Sequence, residues 1–290
     1  MNKFIGTGVA LITPFTKRGE VDYRALEKLV DFQVENGVDY LVVLGTTGEP
    51  ATLTEDEKKK VISKIVKANK KRLPLVLGIG GNNTQQVIDE IKRTDIDAFD
   101  AILSVAPYYN RPTQKGIFAH FKAIANATKK EIIMYNVPHR TGINMVPETI
   151  IELAKECKNI IGIKDAASDI LQTLELIKNK PEKFLVISGD DGLALTSVLA
   201  GGSGVISVIG QGMPKKFTRM INFGLKEESK KAYTIHYELM PLIDLIFREG
   251  NPAGIKTILK QKHICETNVR LPLVEASNKL QELIFKNWSN

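Results

Sequence analysis

Short apolar runs alternate with stretches in which apolar residues recur every three or four positions, and the alternation repeats eight times. The runs at 8–13, 40–44, 73–79, 101–105, 131–135, 160–164, 184–188 and 204–208 have the length and near-continuous apolar character of strands buried on both faces. Helical spacing fills the intervals. Residues 22–35 place Leu26, Leu29, Val30 and Val34 on one stripe that ends at Gly37, and Thr54-Glu55-Asp56-Glu57 is a capping box opening the next helix. Further helices follow from near Thr84 and at 113–127, 147–157, 168–178, 192–199 and 214–223, with Pro147 in a first turn. Eight strand–helix units predict an α/β fold, a closed parallel (β/α)8 TIM barrel in preference to an open doubly wound sheet. Past Gly224 the strand signal stops, and 227–247, 253–262 and 277–288 read as helices. The expectation is a catalytic barrel at 1–224 with a C-terminal helical extension at 225–290.

Composition changes this picture little. With 290 residues, 43% hydrophobic and 25% charged, the chain has ample material for one large core. Cys157 and Cys265 lie far apart and form no CxxC pair, so neither a disulfide framework nor a zinc site is suggested, and a reducing cytoplasm fits. Thr7, Thr13 and Pro14 interrupt the N-terminal apolar run, and no stretch reaches the roughly 18 apolar residues of a membrane helix.

The net charge of +7 raises the possibility of a basic barrel that binds nucleic acid without catalysis. Its densest cluster, 58–72, interleaves lysines with Val61, Ile62, Ile65 and Val66 at helical spacing, as on the solvated face of an amphipathic helix. The other basic pairs are scattered without aromatic neighbours, so no nucleic-acid partner is expected. His120, His139, His236 and His263 lack metal-ligand spacing, which disfavours a metal-dependent aldolase. Of the glycine-rich stretches, 201–204 precedes a strand and 78–83 lacks the last glycine of a dinucleotide fingerprint, so no nucleotide is implied.

In a barrel of this type the active site lies at the C-terminal ends of the strands. The sixth run, IIGIKDAA at 160–167, ends on Lys164. A buried ammonium is costly unless it is paired or loses its proton, and a neutral amine in an apolar pocket suits Schiff-base chemistry on a carbonyl. The alternative is structural, with Lys164 reaching solvent or pairing with Asp165. The second strand runs into GTTGE at 45–49, whose amides and hydroxyls suit a small carboxylate. The fourth ends in Pro107-Tyr108-Tyr109-Asn110, and the fifth ends on Tyr135 before His139-Arg140-Thr141-Gly142. Tyrosines that exchange protons, an arginine that clamps a carboxylate and a buried lysine together make a site for forming and protonating an imine. Ser188-Gly189-Asp190-Asp191 suits a helix N-cap without a further role.

GTTGE at 45–49, PYYNRP at 107–112, YNVPHRTG at 135–142, IIGIKD at 160–165, SGDD at 188–191 and GVISV at 204–208 resemble, in order and over the whole chain, the dihydrodipicolinate synthase family, also called 4-hydroxy-tetrahydrodipicolinate synthases. The resemblance implies a lyase that condenses pyruvate with L-aspartate 4-semialdehyde, the committed step toward diaminopimelate and lysine, with no metal or organic cofactor. It implies that Lys164 forms the Schiff base and that Thr46, Tyr135 and Tyr109 form a proton relay. Tyr109 would reach in from a neighbouring subunit of an oligomer, typically a homotetramer built as a dimer of dimers. Thr47 would help hold the pyruvate carboxylate, Arg140 the carboxylate of the semialdehyde, and Gly189 and Ile206 would flank the lysine. The wider superfamily includes N-acetylneuraminate lyases and 2-keto-3-deoxy-sugar-acid aldolases. Arg140 discriminates, because a carboxylate-bearing aldehyde needs a cation where a sugar needs hydroxyl partners. Asn82 and Tyr108 match the family's allosteric pattern for lysine, whereas Glu55, Lys58 and Gln86 depart from it and predict weak or absent feedback inhibition. His139 replaces a serine often seen before the arginine, a local variation.

Overall fold

The structure is a computed structural model and describes residues 3–288. Eight parallel strands close into a barrel in chain order: β1 (Gly6–Ala10), β2 (Tyr40–Val43), β3 (Leu75–Gly78), β4 (Ala101–Val105), β5 (Glu131–Asn136), β6 (Ile160–Asp165), β7 (Leu185–Ser188) and β8 (Gly204–Ser207), with β8 pairing back onto β1. The chain returns outside the barrel through α1 (Tyr23–Glu35), α2 (Glu55–Asn69), α3 (Thr84–Arg93) and α4 (Gln114–Asn126). It continues through a short α5 (Pro138–Thr141), then α6 (Pro147–Glu156), α7 (Ile170–Asn179), α8 (Ala194–Leu199) and α9 (Pro214–Leu225). Three more helices follow, α10 (Ser229–Phe247), α11 (Ala253–Gln261) and α12 (Asn278–Trp288), with α10 packed on α9 and α12 on α10 and α11. No helix among the described residues is long and apolar enough to cross a membrane.

The helix starts follow from local chemistry. Asp22 accepts from the amides of Arg24 and Ala25 to cap α1, and Asn83, Thr113 and Asp169 cap α3, α4 and α7 in the same way. Thr54 and Glu57 form both halves of the capping box that opens α2.

Two apolar clusters hold the layers together. One fills the space between strands and helices, and the other fills the barrel interior with Val42, Val76, Leu103, Ile133 and Ile187 among its members. Phe4 and Tyr40 plug the N-terminal end of the barrel, ring edge to ring face with centroids 5.4 Å apart. A Cβ at position 8 would lie 2.1 Å from the Tyr40 ring, so only glycine lets that ring cross the barrel floor. Access is left at the opposite end.

Most strand ends shift by one to three residues from the sequence pattern, and two departures have a visible cause. The apolar run at 8–13 leaves the ladder after Ala10, because Ile12 donates its amide to Gln211 Oε1 at 3.0 Å and Thr13 its hydroxyl to the Gly48 carbonyl at 2.6 Å. On β6, Ile160 lies opposite Ile132 and Gly162 opposite Ile133, so Ile161 is an extra residue in the register. Beyond that bulge Lys164 aligns with Tyr135 on one side and Ile187 on the other.

Candidate active site

The register at β5–β6–β7 sets Tyr135 and Lys164 side by side at the open end of the barrel, because paired residues on adjacent strands point to the same face. Lys164 is 6% exposed, and its Nζ sits 4.3 Å from the centre of the Tyr135 ring. Among the described residues it has no carboxylate partner and no hydrogen bond. Strand alternation turns Asp165 the other way, so the structural pairing of Lys164 with Asp165 is ruled out. Asp165 accepts instead from Asn136 Nδ2 at 3.1 Å and Thr173 Oγ1 at 3.0 Å, and burial pushes its carboxyl above the usual range. Gly189 makes room for the lysine, since a Cβ there would lie 2.9 Å from Lys164 Cε and 2.7 Å from Ala166 Cβ. Ile206 is buried in the same interior cluster as Tyr135 and Ala166.

A cavity of about 550 Å3 opens at this end, with Thr46, Tyr108, Tyr135, Arg140, Asn251 and Leu273 in its wall. A larger cleft of about 630 Å3 lies outside the barrel between α2 and α3, lined by Lys58, Lys59, Lys67, Glu90 and Arg93. Neither wall includes Lys164, but the smaller cavity holds Tyr135 and Thr46, and the Tyr135 ring lies against the lysine, so the chemistry belongs to the smaller cavity.

The Gly-Thr turn leaves β2 through Leu44 in the left-handed region (φ 55°), makes one 3-10 turn at Thr46–Gly48 and reverses at Glu49 (φ 54°). Such backbone needs outside support. It comes from the C-terminal extension, from α11 and the loops on either side of it. Asn251 Nδ2 donates to Thr47 Oγ1 at 2.8 Å, Lys256 Nζ donates to Glu49 Oε1 at 2.6 Å, and the Arg270 amide donates to Glu49 Oε2 at 3.0 Å. Lys256 and Glu49 side chains are 0% and 1% exposed, and Lys256 also reaches the Asn268 carbonyl at 2.7 Å. Burial lowers the proton affinity of Lys256 and Glu49 opposes the shift. The Arg270 guanidinium bonds Glu57 with two nitrogens, which holds the Glu57 carboxyl down at about 2.

Arg140 stands on α5, a four-residue helix opened by Pro138 that the periodicity does not register. It is exposed, makes no ion pair among the described residues and lines the cavity. Beside it burial lowers His139, with the Arg140 charge adding to the effect and Asp190 opposing it. Tyr108 lines the cavity, whereas Tyr109, with φ 70°, is 89% exposed and absent from its wall. Asn82 lies at the other side of this loop, where its carbonyl accepts from Asn110 Nδ2 at 2.9 Å. Glu55 and Lys58 pair with each other at 3.0 Å, and Gln86 is an exposed residue of α3.

The two aspartates of the SGDD run separate in role. Asp190 Oδ1 accepts from the amides of Gly192 and Leu193, as a cap does. Asp191 does more than the N-cap expectation allowed: it is buried and accepts from the amides of Val208 and Ile209, at 3.0 and 2.8 Å, which ties β7 to the loop after β8. Burial pushes its carboxyl up to about 6 against those hydrogen bonds.

The family model described as the dihydrodipicolinate synthetase family matches residues 3–287. The 4-hydroxy-tetrahydrodipicolinate synthase of Flavobacterium psychrophilum is 57% identical over 280 residues, covering 97% of this chain and 96% of the relative. Among solved structures, dihydrodipicolinate synthase from Aquifex aeolicus is 40% identical with a TM-score of 0.95 over 99% of this chain and 97% of that one. The chloride-inhibited dihydrodipicolinate synthase from Acinetobacter baumannii, complexed with pyruvate, is 38% identical with a TM-score of 0.95 over 98% of each chain. Matched along its whole described length and carrying a buried lysine under a tyrosine at the barrel mouth, the chain belongs to the dihydrodipicolinate synthetase family.

Proposed function

We propose that the chain is a lyase condensing pyruvate with L-aspartate 4-semialdehyde through an imine on Lys164, and so serves diaminopimelate and lysine biosynthesis in the cytoplasm. The observation that carries this reading is Lys164 itself, a buried amine with an aromatic ring 4.3 Å away and no counter-ion. An amine that no carboxylate or hydrogen-bond acceptor engages is available to attack a carbonyl. The pyruvate found with the Acinetobacter baumannii relative supports the first substrate.

The amine adds to C2 of pyruvate, and loss of water leaves the imine. The imine draws electrons from the methyl group, so a methyl proton departs and an enamine forms. Its carbon attacks the semialdehyde carbonyl, forming the new C–C bond, and the substrate's amino group then displaces Lys164 from C2 in the cyclisation. Tyr135 stands beside the amine to move protons in these steps, with Thr46 next in the relay and Thr47 holding the pyruvate carboxylate. Gly189 and Ile206 shape the space around the lysine stem. Arg140, exposed at the rim and without an ion pair, takes the carboxylate of the semialdehyde.

Tyr109 is the one relay member turned away from its own Lys164. Its 89% exposure fits insertion into a second copy, and a homotetramer of paired dimers is the assembly we propose. Division into a barrel at 1–224 and an extension at 225–290 accompanies this reading. Lysine as an effector would meet Glu55 already paired to Lys58, which supports weak or absent inhibition at Asn82 and Tyr108.

Intact-mass analysis after treatment with pyruvate and sodium borohydride, followed by peptide mapping, tests the proposal. An adduct on Lys164 and turnover with aspartate semialdehyde in preference to sugar aldehydes are expected. A folded protein that yields no adduct overturns it.

A further inference from the structure

We propose that Asn251 is a positioning residue of the active site: it fixes the Thr47 hydroxyl so that its proton is presented to the carboxylate of pyruvate. The inference rests on the proposed Schiff-base reading and goes beyond it, because it places a side chain of the C-terminal extension in the working site.

Three observations meet at this point. Asn251 Nδ2 donates to Thr47 Oγ1 at 2.8 Å across 204 positions of sequence, with both side chains in the interior at 8% and 3% exposure. Asn251 is part of the cavity wall. Its other amide atom, Oδ1, is buried with no hydrogen-bond partner, so the group is held at the cavity by its bond to Thr47 alone.

The chemistry follows from the inventory of a hydroxyl, one donor and two acceptor sites. When an amide N–H occupies one of the Thr47 lone pairs, the hydroxyl proton cannot point at Asn251. Thr47 has no acceptor of its own among the described residues; it lies just behind the cavity wall, between Thr46 and Asn251 that line it, so that proton is left for a ligand that reaches the turn. A carboxylate accepts only, and a hydroxyl whose proton already faces it loses no rotational freedom on binding. The Lys256–Glu49 pair, two residues further along the same turn, prevents the turn from drifting away from Asn251.

Substitution reverses the ordinary ranking of conservative and non-conservative changes, and this makes the test sharp. In Asn251→Ala the hydroxyl rotor is freed, and the KM for pyruvate rises about five- to tenfold, as for one neutral hydrogen bond. In Asn251→Asp the shape is kept, but the carboxylate accepts the Thr47 proton and places a like charge near pyruvate. Its pyruvate KM therefore rises further than that of the alanine variant, with the KM for the semialdehyde changed by less than about twofold. A packing role predicts the opposite order.

The decisive measurement combines steady-state kinetics of both variants with the same Asn251→Ala change in a Thr47→Val background, where the two losses should not add. Wild-type borohydride trapping is run alongside. No adduct on wild-type Lys164 sinks the catalytic reading and this inference with it. A normal wild-type adduct together with an Asn251→Asp pyruvate KM equal to wild type, or full additivity with Thr47→Val, overturns the role of Asn251 alone. If the alanine variant fails to fold, the isosteric Asp variant carries the test.

Discussion

Two lysines are buried among the described residues, and each has its ammonium close to an aromatic ring, Lys164 at 4.3 Å from Tyr135 and Lys256 at 4.4 Å from Phe15. In every other respect they are opposites. Lys256, fully covered by the C-terminal helices, is matched to the Glu49 carboxylate at 2.6 Å and the Asn268 carbonyl at 2.7 Å. Lys164, at the barrel mouth, has neither. A buried lysine bound to a carboxylate and a carbonyl is a structural brace, whereas an amine that no such group engages is available to react with a carbonyl. Position in the fold, more than residue type, separates the two: β6 ends at the cavity, while α11 lies against the outside of the Gly-Thr turn.

The contrast is broken most directly by removing each lysine. Lys164→Met should abolish the borohydride adduct and lower kcat by about a thousandfold or more, as loss of a nucleophile does. Because it removes a buried amine that has no hydrogen bond or ion pair to lose, its thermal midpoint should equal or exceed that of wild type. Lys256→Met should do the reverse in kind. It leaves Glu49 ionised in the interior, and a loss of about 3–5 kcal/mol in denaturant unfolding is expected. Adding Glu49→Gln should recover much of that loss. If Lys256→Met alone is neutral, the pair is not the brace described here.

The difference also marks what the sequence displays. Lys164 is visible because eight apolar runs identify the fold and a barrel puts its chemistry at strand ends; the run at 101–105 coincides with β4 residue for residue. Lys256 sits in an amphipathic helix of ordinary appearance, and its partner lies 207 positions away. Asn251 and Arg270 bond to the same turn across 204 and 221 positions, and no local period reports such pairings. Arg140 was legible as a residue but its platform was not, since four residues of α5 complete barely one turn. The apolar run at 8–13 starts two residues inside β1 and overruns its end by three for a related reason: Ile12 and Thr13 stay covered while their polar groups turn to Gln211 and Gly48.

Asp191 extends the comparison to a buried anion without a cation. Its folded pKa, about 6, stands above the ordinary aspartate value of 3.8, so the folded state binds the extra proton between those limits. The stability it contributes is fully present below about pH 3.8 and is lost as pH rises through about 6. Relative to Asp191→Asn, wild type should therefore lose roughly 3 kcal/mol between pH 4 and pH 7, from two pKa units at about 1.4 kcal/mol each. Urea unfolding of both proteins across that range reads the difference directly. A gap between them that does not change with pH would mean that Asp191 stays ionised throughout, held by the Val208 and Ile209 amides.

Arg140 supplies the smallest and most discriminating case, a cation at the same cavity that is exposed and so has lost little hydration. Neither argument for the buried lysines applies to it, since an exposed guanidinium needs no partner for stability. What it offers is a planar pair of donors at the rim. Arg140→Lys keeps the charge and loses the fork, so the melting temperature should not move. The KM for aspartate semialdehyde should rise about ten- to a hundredfold, as for hydrogen bonds worth about 1.5–3 kcal/mol to a charged group. Pyruvate trapping on Lys164 should stay at the wild-type rate, because the imine forms before the second carboxylate arrives. Equal damage to both substrates would place Arg140 on pyruvate and move the semialdehyde site elsewhere in the cavity. Loss of stability instead would show that α5 depends on the arginine, making it a structural cation of the same kind as Lys256.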